Sequence, residues 1–290
     1  MNINYLIVSE SFEKSLSVEN TPIDEQLQCF IDVLEMLTDY ESTSYSMDLF
    51  DQIFYEGQSL AEWLYSSGDM RDEKRIIQMK FKKMVEVEKA VIQDSIGQLQ
   101  NRNYQQHFAL ITFYHWTAPN LEDYLVIQNK SDCLNARRFY LHFADNISVF
   151  LRKCEDCFPQ LFINDRVQQT IKRFKPFRDY LEELILHLTA LNDHGLRLFI
   201  EYQAQNETVV LQHLSVIGNI NCSAQGDPAY EKANLCFEFP SDQGGNINIV
   251  CAPHTKLFSK HSGERIYFNW GHPQVKNGER LLIGHIGDHL

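Results

Sequence analysis

No stretch of this chain approaches the ~20 consecutive apolar residues that a membrane-spanning helix needs, so no crossing is expected. The opening MNINYLIVSESFEKS has no basic lead and only a short apolar run, which does not read as a secretory signal. Seven cysteines are an odd count in a chain without an expected export signal, and reduced thiols in a cytoplasm are the economical expectation. Glycine-rich phosphate loops, dinucleotide fingerprints and the carboxylate–lysine clusters of DNA nucleases are all missing, so no cofactor is expected. CEDC at Cys154–Cys157 has the spacing of half a zinc site or of a redox pair. Cys222, Cys236 and Cys251 supply no second pair at comparable spacing, and the motif closes an expected helix rather than opening one, so no metal site is expected.

Basic residues are almost absent from the first part. Residues 1–70 hold fourteen Asp/Glu against one Lys, a balance of −13 that equals the formal net charge of the whole chain. Such a surface repels nucleic acid and suits a protein partner with a basic surface, unless water alone solvates it. The opposite bias occurs once. RVQQTIKRFKPFR carries Arg166, Lys172, Arg173, Lys175 and Arg178 with no acid, and Phe174 and Phe177 are interleaved. Cations beside aromatics can hold phosphate while a base stacks, so RNA is a candidate ligand here; pairing with the acidic part is the alternative.

Hydrophobic spacing predicts an α+β protein: a mostly helical N-terminal part, a mixed middle and a C-terminal antiparallel sheet. Residues 3–8 read as a short buried strand. Thr21 and Pro22 open a helix carrying Leu27, Phe30, Ile31, Leu34 and Leu37, and the stripe from Ile77 to Leu99 argues for one long helix. HFALITFYHW and DYLVI, separated by Pro119–Asn120, read as a hairpin. A helix is expected around 134–151. A second, with Phe177, Tyr180, Leu181, Leu184, Ile185, Leu188 and Leu191 on one face, should end at Gly195. Beyond it LRLFIEY, TVVLQHL, LCFEF, INIV, RIYFNW and LLIGHI read as strands. A boundary in QNRNYQQ divides the chain into 1–103 and 104–290.

The densest chemistry lies in HTKLFSKHSGERIYFNW and RLLIGHIGDHL, adjacent strands joined by a turn at Pro273 and Asn277–Gly278. Alternation puts Arg265, Tyr267 and Asn269 on one face, and His285 should join them beside His254 and Lys256. Metal-independent RNA cleavage needs such a set: groups that take and give protons, and cations over the phosphate. The quoted segments resemble the closing strands of RelE/HigB-type toxins, small bacterial RNases, over about the last 37 residues. The resemblance implies Arg265 as phosphate clamp, Tyr267 and His285 as acid/base candidates and Lys256 as electrostatic helper. This chain is far longer than those toxins and acidic where they are basic. Its C-terminal half is also similar to uncharacterised proteins of bacterial defence and toxin loci. Three readings stand: an RNase-like effector acting through its last strands, a non-catalytic subunit holding a basic partner, and a nucleic-acid binder using Arg166–Arg178.

Overall fold

The apolar segments near residues 5 and 110 lie side by side because a strand buried on both faces needs no alternation. In the computed structural model, which describes residues 2–14, 21–202 and 206–290, the chain forms two units, Met1–Tyr140 and Leu141–Leu290. The first contains β1 (Asn4–Ile7), α1 (Ile23–Met36), β2 (Ser42–Tyr45), a small hairpin of β3 (Ile53–Tyr55) and β4 (Gln58–Ser59), α2 (Leu60–Tyr65), α3 (Arg71–Phe81), β5 (Val85–Glu86), α4 (Lys89–Gln100), β6 (Phe108–Ile111), β7 (Val126–Ile127) and α5 (Lys130–Leu141). Its sheet runs β5-β2-β1-β6-β7 with every pair parallel. The chain steps outward from β1 through β2 to β5, then returns to the other side of β1. That is the doubly wound order of open α/β sheets.

The α+β class holds for the whole chain, but the N-terminal part is built on a parallel sheet rather than on helices alone. β2 is the polar STSY and β5 has two residues, so neither carries a pattern to read. The expected long helix is interrupted by β5 and becomes α3 and α4. Pro22 stands just outside α1 as its cap. The expected hairpin is a parallel pair, with Leu110 opposite Val126 and Ile111 opposite Ile127. Since β6 completes the sheet against β1, the first unit extends past residue 103 to Tyr140. A buried ion pair ties its last helix in: Arg137 meets Glu41 at 2.7 Å with both side chains at most 5% exposed, and the Tyr5 hydroxyl donates to the same carboxylate at 3.1 Å.

The second unit contains α6 (Ile147–Cys157), β8 (Leu161–Ile163), α7 (Val167–Thr170), α8 (Leu181–Ala190), α9 (Leu196–Tyr202), α10 (Glu207–Gly218), β9 (Asn221–Ser223), α11 (Pro228–Asn234), β10 (Cys236–Pro240), β11 (Asn246–Val250), β12 (His254–Lys256), β13 (Glu264–Asn269) and β14 (Leu281–Asp288). The main sheet runs β8-β14-β13-β12-β9; β8 joins β14 in parallel and the other pairs are antiparallel. β10 and β11 form a separate hairpin.

The expected C-terminal sheet is present, but LRLFIEY and TVVLQHL are helices α9 and α10. The helix expected over 134–151 is two, separated before Asn146, whose side chain caps α6 by accepting from the Val149 N–H at 3.0 Å. Gly195 ends nothing. Leu191–Gly195 is a π-helical turn joining α8 to α9, and a Cβ at Gly195 would lie 2.8 Å from Leu281 Cδ1. Cys154 and Cys157 close α6 as buried thiols, and burial pushes the Cys154 thiol well up. Among the described residues, no group of three or more His, Cys, Asp or Glu is placed to hold a metal ion, and no helix is long and apolar enough to cross a membrane.

Candidate functional site

Residues directly opposite in an antiparallel pair share a sheet face. β13 sets Tyr267 opposite His285 of β14 and His254 of β12, and Arg265 opposite Lys256. Lys256, Arg265, Tyr267 and His285 therefore do come to one face. His285, Tyr267 and His254 form a row across three strands, with ring centroids 5.9 and 5.0 Å apart. A bulge after Tyr267 leaves Gly284 without an opposite residue; a Cβ there would lie 2.5 Å from Phe237.

The open hollow expected over this row is absent. Tyr267 is fully buried, His254 and His285 are 3% exposed and Arg265 7%; only Lys256 is half-buried. Two elements close the face. The β10–β11 hairpin brings Leu235, Phe237 and Phe239 into one core with Tyr267. The end of the chain closes the rest: β14 runs on through Asp288, opposite Glu264, and the His289 N–H continues the ladder by donating to the Gly263 carbonyl at 2.7 Å. His285 Nε2 donates to the Asp288 carbonyl at 3.0 Å, the His289 ring lies 6.4 Å from Tyr267, and Leu290 packs on the Tyr267 core.

These contacts assign the tautomers, because a carbonyl only accepts. His285 carries its proton on Nε2. His254 carries its own on Nδ1, toward the Ala252 carbonyl at 3.2 Å, and accepts from the Ser223 hydroxyl at 3.1 Å. Burial pushes both imidazoles down to about 4, and nearby cations add to it: Arg265 and Lys256 beside His254, Arg166 and Arg173 beside His285. Burial likewise raises the Tyr267 phenol and lowers the Arg265 guanidinium. At neutral pH the row is uncharged, and it has unmet needs. Among the described residues, Arg265 Nε and His285 Nδ1 are buried without a hydrogen-bond partner, and the Tyr267 hydroxyl has only the Leu290 backbone beside it. Each such group costs about 1–3 kcal/mol. As it stands, the row offers a phosphodiester no entry, and neither of its imidazoles is charged at neutral pH.

The basic segment is arranged the opposite way. α7 docks on β14 through Val167 and Ile171, and the Thr170 hydroxyl donates to the Ile286 carbonyl at 2.7 Å. With the apolar positions inward, Arg166, Lys172, Arg173, Lys175 and Arg178 are all exposed. Among the described residues only Arg173 of the five meets a carboxylate, Asp288 at 3.1 Å, with both side chains more than half exposed. The interleaved aromatics serve the core instead of offering platforms. Phe174 is buried and stacks on Tyr180 at 4.3 Å, and Phe177 packs edge-on against Phe150 at 5.5 Å.

A further polar network occupies the carboxyl edge of the first unit's sheet, where doubly wound proteins place their ligands. Ser9 beyond β1, Ser46 and Asp48 beyond β2 and Lys89 at the start of α4 meet there. Ser9 donates to Asp48 at 3.0 Å, and Lys89 reaches Asp48 at 2.6 Å and Glu10 at 2.7 Å. Burial raises the Asp48 carboxyl, but hydrogen bonds from Lys89, Ser46 and Ser9 outweigh it and hold the pKa low. The adjoining hollow, about 410 Å³, is lined by Asp48, Glu86, Glu88 and Lys89. Sequence reasoning missed this group because its members are scattered along the chain and only the strand order unites them.

Comparison with protein-family models, with curated proteins and with solved structures finds no match to this chain.

Proposed function

We propose that the second unit binds nucleic acid through Arg166, Lys172, Arg173, Lys175 and Arg178. One observation carries this reading: among the described residues, five exposed cations within thirteen residues share a single ion pair, and no acid interrupts them. A solvated cation cluster of this kind gains affinity by releasing counterions from a phosphate backbone. Engaging all five gives a log–log salt slope of roughly −3.5 on single strands. Fluorescence anisotropy with labelled RNA and DNA across a salt series tests it. Replacing Lys172, Lys175 and Arg178 together by Ala should lower the slope by about 2 and leave the melting temperature unchanged. No binding to either nucleic acid at low salt removes the reading. Cleavage by Lys256, Arg265, Tyr267 and His285 would require the β10–β11 hairpin and the end of β14 to move, so the resting arrangement supports binding alone.

The first unit supports a second reading, a protein partner with a basic surface. Between residues 24 and 72, nine carboxylates are exposed, from Asp24 and Glu25 to Asp69 and Asp72, against one exposed cation, Arg71. Most stand on or beside α1, α2 and α3, which pack against one another. Such an interface weakens with salt, since exposed charges are screened beyond ~8 Å at physiological ionic strength. Glu25→Lys with Glu35→Lys should abolish a salt-sensitive complex; a complex indifferent to both salt and the substitutions would discard this reading.

A further inference from the structure

Beside Arg166 an open groove of about 470 Å³ runs between the end of β8 and the β10–β11 hairpin. Its walls are held in place. The buried Asn164 amide donates to the Glu238 carbonyl at 2.6 Å, and Asn246 donates to the Glu238 carboxylate at 2.8 Å. The Arg166 guanidinium lies 5.3 Å over the Phe237 ring, which fixes one of its faces against the protein and leaves the exposed side to solvent. Asp165 and Asn248 also line the groove, and among the described residues neither their carboxylate nor their amide makes a hydrogen bond. A supported guanidinium plane, an uncommitted carboxylate and an uncommitted amide thus face one polar, solvent-filled volume.

We propose that this groove takes one unstacked base of the strand held by the basic segment, and that it favours guanine; the proposal rests on the nucleic-acid reading above. Single-stranded RNA is read in this manner, with a base laid on an aromatic ring or an arginine plane and bonded along its Watson–Crick edge. Guanine presents adjacent N1–H and N2–H donors, which match the two oxygens of a carboxylate such as Asp165. Its O6 accepts, which matches the Asn248 amide. Adenine presents a bare N1 at that place and would set a lone pair against the carboxylate. Arg166 belongs to both features, stacking on the base while it adjoins the phosphates.

Anisotropy with labelled oligouridylates carrying one central guanosine, inosine, adenosine or abasic ribose tests the proposal on the full chain. Guanosine should bind about tenfold tighter than the abasic strand, with inosine, which lacks the 2-amino group, between them. Asp165→Asn should erase the preference for guanosine over adenosine while the stacking gain over the abasic strand remains; Asn248→Ala should reduce that preference. Equal affinity for all four strands, or a preference for adenosine, overturns the base site while the basic segment stands. Loss of every oligomer at low salt overturns both.

Discussion

Three imidazoles of the second unit, His187, His254 and His285, are at most 3% exposed, and burial lowers each to about 4. In the unfolded chain a histidine titrates near 6.5, so between pH 6.5 and 4 the unfolded state binds more protons than the folded one. A depressed base therefore contributes stability that is full above pH 6.5 and is lost as the pH falls toward 4. Each imidazole accounts for about 3 kcal/mol at most over that window. Urea unfolding of the full chain at pH 7.5, 6 and 5 should show a falling midpoint, and His254→Asn with His285→Asn should flatten the fall. A midpoint that holds steady to pH 5 would mean these rings are protonated in the fold, with acceptors where the structure places orphaned atoms.

Elements with long stripes were legible at the level of sequence. α1 buries Leu27, Phe30, Ile31 and Leu34 and α8 buries Leu181, Leu184, Ile185 and Leu188 as their spacing assigned, because one amphipathic face repeated over several turns has one solution. Leu37, Phe177 and Tyr180 fall outside these helices and are half-buried. Short apolar runs were not: LRLFIEY and TVVLQHL suit a strand as well as a helix, and their helicity is settled by packing. Alternation did place Arg265, Tyr267 and His285 on one face. It could not show that Phe237 and residues 288–290 would cover them, since exposure belongs to the tertiary structure. The packing here is tight enough to test. A methyl at Gly284 would meet Phe237 carbons at 2.5 and 2.9 Å and the Cys251 sulfur at 2.8 Å. Gly284→Ala should therefore cost about 1–3 kcal/mol in urea unfolding, and Gly263→Ala, which meets nothing within 4 Å, far less.

For the whole molecule, charge follows the two units. Residues 1–140 hold twenty-two acids and twelve Lys/Arg, and residues 141–290 hold seventeen and fourteen. The sequence placed this asymmetry correctly but put the boundary near residue 103, where composition changes and the sheet does not. A fragment of residues 1–140 keeps β6, β7 and the Arg137–Glu41 pair and should melt cooperatively. One ending at residue 103 leaves Glu41 buried without its cation, a loss of about 3–5 kcal/mol, and should not fold. Circular dichroism of both fragments checks this; two folded fragments would show that the sheet closes without its last strands. In the second unit, the exposed bridge from Arg173 to Asp288 ties the basic segment to the last residue of β14. An exposed pair is worth ~0–1 kcal/mol, while Arg265 and His285 nearby hold buried nitrogens that water would satisfy. We expect a polyanion that captures Arg173 to loosen this strand end beside His285 and His254. Acylation of those two rings by diethylpyrocarbonate, read by mass spectrometry, should rise with added RNA and with Asp288→Ala; rings inert under both conditions would mean the strand end is fixed.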